Sequence, residues 1–158
     1  VVGHIIRMSG QPAVARQTTK DIKAASDDLA ARFRAGHRVC VFLEGTSTAG
    51  DRVLAFRTPL LQGVIDASAP IVPVAIHWTA ANPAIRIDDD VAYWKHEHHF
   101  GPHVWRLLGL QGLACEVTFG EPISGTDRKQ LGEAAHEAVR RMTGLPTADK
   151  VSSPTREN

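Results

Sequence analysis

VCVFLEGTSTAGDRVLAFRTPLL, residues 39–61, is the stretch whose reading decides the fold. Residues 39–43 are all apolar, the chain turns polar at Glu44-Gly45-Thr46, and apolar periodicity returns only after Pro59. That order predicts a strand covered on both faces, a long polar loop at its carboxyl end, and then a helix. If fully buried, each large side chain of the run contributes roughly 1.5–3 kcal/mol. In open α/β sheets ligands gather at such strand ends. An acid, a glycine and the hydroxyls of Thr46, Ser47 and Thr48 therefore mark the candidate site.

Working outward from it, residues 10–16 (GQPAVAR) read as a short strand ending in Arg16. Thr18 or Thr19 then caps a helix with Asp21 in its first turn, where a carboxylate meets the positive end of the dipole. Ile22, Ala25, Leu29 and Phe33 form its inner face, and Gly36 stops it. Downstream of the loop, Pro59 opens a helix to about Ser68 with Leu60, Leu61, Val64 and Ile65 as its stripe. Residues 71–77 (IVPVAIH) read as a buried strand in which Pro73 implies an edge, a bulge or an irregularity. Residues 83–90 read as containing a short strand, and Asp88, Asp89 and Asp90 read as a solvated turn. A helix follows over 100–110 with Val104, Leu107 and Leu108, then a strand over 113–119. Asp127 caps the last helix, whose inner face is Leu131, Ala135, Ala138, Val139 and Met142. The alternation of strands and helices predicts an α/β fold, with a mostly parallel central sheet flanked by helices. A single domain is expected over residues 1–143, and the polar, proline-punctuated residues 144–158 are expected to be a disordered tail.

The 18 Lys and Arg balance 17 Asp and Glu, so no polyelectrolyte field points to nucleic acid. Cys40 and Cys115 lie in apolar runs without metal-ligand spacing and are expected to be buried thiols in a reducing compartment. No apolar run reaches the roughly 20 residues of a membrane-spanning helix.

Three motifs fail on spacing. A P-loop requires Lys and Ser or Thr straight after its second glycine, and here Asp51 and Arg52 follow Gly50. Ser47 in GTSTA nearly fits a serine-hydrolase elbow, but Ala49 replaces the second glycine and the next helix is delayed, leaving a serine esterase as the alternative reading. His96, His98, His99 and His103 do not make H-E-x-x-H, so they read as a solvated surface segment and no metal is expected.

Several blocks together resemble one family. Phe42-Leu43-Glu44-Gly45-Thr46 is similar to the F-P-E-G-T block of the 1-acylglycerol-3-phosphate acyltransferases, the PlsC-like lysophospholipid acyltransferases. Arg52-Val53-Leu54 and Phe56-Arg57 match its continuation, while Leu43 stands where proline is usual and Ser47 where many members have arginine. The blocks at 10–16, 71–75, 92–94, 102–106 and 117–123 also resemble the family, so the likeness covers residues 1–142.

The resemblance implies transfer of a fatty acyl group from acyl-CoA or acyl-carrier protein to the free hydroxyl of a lysophospholipid such as 1-acylglycerol-3-phosphate, with no cofactor. It implies that Arg16 pairs with the acceptor's phosphate, that Glu44 and Gly45 order its hydroxyl end, and that Thr46 and Arg57 line the same pocket. It also implies work at a membrane surface, on the cytoplasmic face of the inner or plasma membrane. Residues 100–113, with Trp105, would touch the bilayer interface there or else form an ordinary core helix. The family's H-x-x-x-x-D block is missing, since no histidine here has aspartate five positions later. With a first residue other than Met, this leads us to expect the catalytic block upstream of Val1 and the 158 residues alone to be inactive. A catalytically dead lipid-binding module is the non-enzymatic alternative.

Overall fold

A computed structural model describes residues 19–92 and 100–148. The predicted strand at 10–16, Arg16 included, lies outside the described residues, as do His96, His98, His99 and the tail beyond Ala148. Two compact units are present.

The described residues of the first unit are 19–41, Arg57–Ile71 and Pro122–Ala134. Helix α1 (Thr19–Arg34) carries Asp21 in its first turn and Arg32 and Arg34 in its last, complementing its dipole at both ends. Lys23–Asp27 and Arg32–Asp28, both at 2.8 Å, lace its solvent side. Its buried face is Ser26, Leu29 and Ala30. Gly36, at φ 81°, adopts the left-handed conformation that ends the helix. Helix α2 (Leu61–Asp66) buries Leu61, Gly63 and Val64 and packs on α1. The Arg34 guanidinium donates to the Asp66 carbonyl at 2.9 Å and so satisfies an end carbonyl of α2. Gly63 sits against the Ser26 carbonyl, where no Cβ fits. Ile71 and Ile123 form an isolated antiparallel bridge.

The second unit comprises Phe42–Phe56, 72–92, 100–121 and 135–148. Strand β1 (Val53–Leu54) is buried and pairs in parallel with β4 (Thr147–Ala148), so the expected tail contributes a strand. Strand β2 (Val74–Ala80) runs antiparallel to β3 (Leu113–Phe119), from Val74↔Phe119 to Ala80↔Leu113. The mostly parallel sheet is therefore not what forms among the described residues. Periodicity reports that a segment is a strand; the direction of its partner is set elsewhere in the chain. Pro73 stands just ahead of β2, a place where its missing N–H costs no ladder bond, and its carbonyl accepts the Gly120 N–H at 2.8 Å. One face of this ribbon is apolar, with Ile76, Trp78, Val117 and Phe119 all exposed. Helix α3 (Phe100–Gly109) follows a π-helical turn at Ile87–Val91.

Helix α4 (Arg128–Thr143) begins as expected: the Asp127 carboxylate accepts the Lys129 and Gln130 N–H groups at 2.8 and 2.9 Å. These bonds hold its carboxyl below the usual range. Leu131 and Ala135 are buried.

Four further expectations are corrected. Residues 39–43 form no strand, and Phe42 is 74% exposed. An apolar run becomes a buried strand only where neighbours supply ladder partners and cover, and among the described residues nothing pairs with it. Cys40 is exposed for the same reason, and Cys115 because it stands on the uncovered ribbon face. Asp90 is not solvated: it is 6% exposed, accepts the Arg86 N–H at 2.8 Å and is ion-paired with Arg106. Nor is His103, which the four-histidine segment placed in solvent; on α3 it is buried.

Candidate functional site

The loop that opens the sequence reading begins with a tight turn. Leu43 and Glu44 are its central residues, and the Gly45 N–H donates to the Phe42 carbonyl at 3.1 Å. Gly45 has φ 72°, so glycine is required here by the turn itself. Glu44 then reaches across the loop, and its Oε2 accepts the N–H of Leu54 at 3.0 Å. Leu54 is 3% exposed and its donor would be costly to leave unpaired. The carboxylate thus staples the first turn of the loop to the strand that closes it. The family resemblance implies that Glu44 orders the acceptor's hydroxyl end; the structure gives it a further task, as the clamp that fixes where Gly45 and Thr46 sit.

Within the loop, the Gly50 N–H donates to Thr48 Oγ1 at 3.2 Å and Gly50 takes φ 84°. Asp51 and Arg52 pair side by side, with Arg52 Nε 2.9 Å from Asp51 Oδ1 and a second contact from the guanidinium to Oδ2. The Arg52 hydrogen bond holds the Asp51 carboxyl below its ordinary range, and the guanidinium is raised in turn. Both charges are exposed and matched to each other. The loop then enters β1 as the Val53 N–H donates to the Pro146 carbonyl at 3.0 Å.

Thr46 is exposed at the turn, beside Glu44 and Gly45. Arg57 is exposed and belongs to the first unit. Arg16 lies outside the described residues. Ser47 is exposed in an irregular segment, with neither a strand before it nor a helix directly after it. The strained strand-to-helix elbow that a hydrolase serine requires is therefore not built. Among the described residues no group of three or more His, Cys, Asp or Glu side chains is placed to hold a metal ion.

The link from Glu44 to Leu54 was not anticipated, and neither was the Asp90–Arg106 pair. A signal for the first exists in sequence: an acid nine and ten residues ahead of two adjacent apolar residues, Val53 and Leu54, that end a polar loop. No local pattern announces the second.

A family model described as Acyltransferase matches residues 1–77, the span that contains the Glu44 turn and its clamp. The lyso-ornithine lipid O-acyltransferase of Rhodobacter capsulatus is 33% identical over 153 residues, covering 90% of this chain and 53% of the relative. The protein of the same description from Brucella abortus is 31% identical over 131 residues, covering 74% of this chain and 48% of the relative. The 1-acyl-sn-glycerol-3-phosphate acyltransferase of Neisseria gonorrhoeae is 24% identical over 146 residues, covering 89% of this chain and 54% of the relative. The described residues form an α/β arrangement. The family model and these relatives together support the PlsC-like acyltransferase family for this chain. It spans about half the length of the curated relatives it matches. No solved structure matches it.

Proposed function

We propose that the protein transfers a fatty acyl group from an acyl thioester, acyl-CoA or acyl-carrier protein, to the free hydroxyl of a lyso-lipid in lipid biosynthesis. The acceptor oxygen attacks the thioester carbonyl carbon, an ester bond forms, the carbon–sulfur bond breaks, and the thiol departs with the proton that the hydroxyl gives up. No histidine among the 158 residues stands five positions ahead of an aspartate, so the general base is assigned to no residue of this sequence.

The observation that carries the reading is the 33% identity to a lyso-ornithine lipid O-acyltransferase across 90% of the chain. Relatives named for lyso-ornithine lipid reach identities of 25% to 33%, against 24% for those named for 1-acyl-sn-glycerol-3-phosphate. This favours a lyso-ornithine lipid as acceptor, with lysophosphatidate second. Both acceptors present an anion, a carboxylate in one and a phosphate in the other, and arginine suits either by bidentate pairing. Arg16 takes that part in the proposal, with Arg57 as its second cation. Glu44 positions the turn on which Gly45 and Thr46 meet the acceptor's hydroxyl end. Because the acceptor is a lipid and the donor is water-soluble, the reaction sits at the cytoplasmic face of a membrane. No helix among the described residues is long and apolar enough to cross one.

The test is acyl transfer to the two acceptors in detergent by the full-length protein that contains these 158 residues. Preference for lyso-ornithine lipid is expected. Preference for lysophosphatidate reverses the order, and failure on both removes the proposal.

A further inference from the structure

Strand β1 is two residues long, and the site loop is tied to it. Consecutive N–H groups of a strand point to opposite edges. The Val53 N–H goes to the Pro146 carbonyl at 3.0 Å, on the side of β4. The Leu54 N–H goes to Glu44 Oε2 at 3.0 Å, on the other edge. Glu44 thus takes on one edge the place that a neighbouring strand would fill, and β4 fills the other. So short a strand makes too few bonds of its own to keep a position. The burial of Val53 and Leu54 and the partners on its two edges set it together. Strand β4 is in turn tied to the end of α4. The Gly144 N–H donates to the Arg140 carbonyl at 2.9 Å, and Gly144, at φ 67°, turns the chain out of the helix in the left-handed conformation. The Thr143 hydroxyl donates to the Val139 carbonyl at 3.0 Å and accepts the Leu145 N–H at 3.4 Å. A connected path therefore leads from the last turn of α4 through Leu145, Pro146, Val53 and Leu54 to Glu44, and all of these residues belong to the second unit.

We propose that β4, with the glycine turn ahead of it, is the strut that positions the Glu44-Gly45-Thr46 turn for the acceptor, which makes Gly144 and Pro146 positioning residues that act through β1. The inference rests on the acyl-transfer reading for what the turn does. The loop between Glu44 and Val53 is irregular, so its first turn is placed by where its closing strand is held. Releasing β4 frees β1 on one edge, and the Glu44 clamp then carries the turn along with a strand that has lost its place. Pro146 serves the same end, because its ring narrows the conformations open to the segment before it meets β1.

The test uses the full-length protein that contains these 158 residues. A Cβ at position 144 meets nothing within 4 Å, so a substitution there acts through the backbone alone. Gly144→Asn tolerates the left-handed conformation and is expected to behave as wild type, whereas the β-branched Gly144→Val does not and is expected to turn β4 away from β1. In Gly144→Val, deuterium uptake at the Gly45, Val53 and Leu54 amides is expected to rise about tenfold or more relative to the amides of α1. In the same variant kcat/KM for the acceptor is expected to fall about tenfold or more, with KM for the acyl donor unchanged. Pro146→Gly keeps the carbonyl and only loosens the segment, so both quantities are expected to shift about two- to fivefold, and it decides the matter if Gly144→Val does not fold. Three results overturn the proposal. Uptake at the three amides unchanged in both variants shows that β4 does not hold β1. Uptake raised equally in α1 shows a general loss of stability and no local tie. Uptake raised at the three amides with acceptor kcat/KM unchanged shows that the acceptor does not depend on where the turn sits. If the wild type transfers no acyl group, the acyl-transfer reading falls by itself, and uptake alone decides whether β4 positions the turn.

Discussion

Replacing Glu44 tests whether the acid of the E-G-T turn is a clamp. In Glu44→Ala the Leu54 N–H, on a residue 3% exposed, loses the carboxylate that accepts it at 3.0 Å. A charge-assisted hydrogen bond to a buried donor contributes about 1.5–3 kcal/mol. Glu44 is only partly buried, which places the expected loss at the lower end, about 1.5–2 kcal/mol. With a urea slope of about 1–3 kcal/mol/M, the midpoint moves down by roughly 1 M. Glu44→Gln keeps a carbonyl acceptor of the same reach and is expected to lose about half as much or less. Local proof comes from amide exchange, where the Leu54 N–H is expected to lose protection in Glu44→Ala and largely keep it in Glu44→Gln. The clamp is refuted if Glu44→Ala matches wild type in both midpoint and Leu54 protection. If Glu44→Gln keeps the fold and the protection yet abolishes transfer, the carboxylate acts on the acceptor directly.

Further predictions follow from the packing and the ion pairs. Gly63→Ala drives a Cβ into the Ser26 backbone carbonyl, which cannot swing aside as a side chain would, so α1 and α2 must separate; a loss of about 1–3 kcal/mol is expected in urea unfolding. Arg106→Leu leaves the buried Asp90 carboxylate short of a partner; a loss of about 1–3 kcal/mol is expected, and Asp90→Asn in the same background is expected to recover part of it in a double-mutant cycle. The Asp127 carboxyl is lowered in the folded state by the N–H groups it caps. Its contribution is therefore complete above the unfolded value of about 3.9 and is lost as pH falls below it, so Asp127→Ala is expected to flatten the acid limb of a thermal-melt pH series. A fluorophosphonate probe is expected to leave Ser47 unlabelled, and labelling would revive the esterase reading.

The helices were legible because each one's own residues state its period and its ends. Leu29 and Leu131 sit on the faces their spacing indicates, Gly36 stops α1, and Asp127 caps α4. Strand β3 spans the residues expected of it. What was not legible depends on partners distant in sequence. The run at 39–43 has the composition of a buried strand, but composition cannot supply a neighbour, and Phe42 stands in solvent. The antiparallel pairing of β2 with β3 is a property of two segments that neither one displays. Asp90 looked solvated among its acidic neighbours because Arg106, sixteen positions on, is what allows it to be buried. At the candidate site the turn residues were legible, and the Leu54 donor that gives Glu44 its structural task was not.

The central claim is that the protein esterifies a lyso-lipid at the expense of a thioester. Its most direct test is incubation of the full-length protein that contains these 158 residues with radiolabelled acyl-carrier protein or acyl-CoA thioester and lyso-ornithine lipid, with the lipid products separated. The account predicts a labelled diacyl product that appears mole for mole with free thiol and requires the acceptor. Thiol release at the same rate without acceptor, or no labelled lipid with either lyso-ornithine lipid or lysophosphatidate, would contradict it.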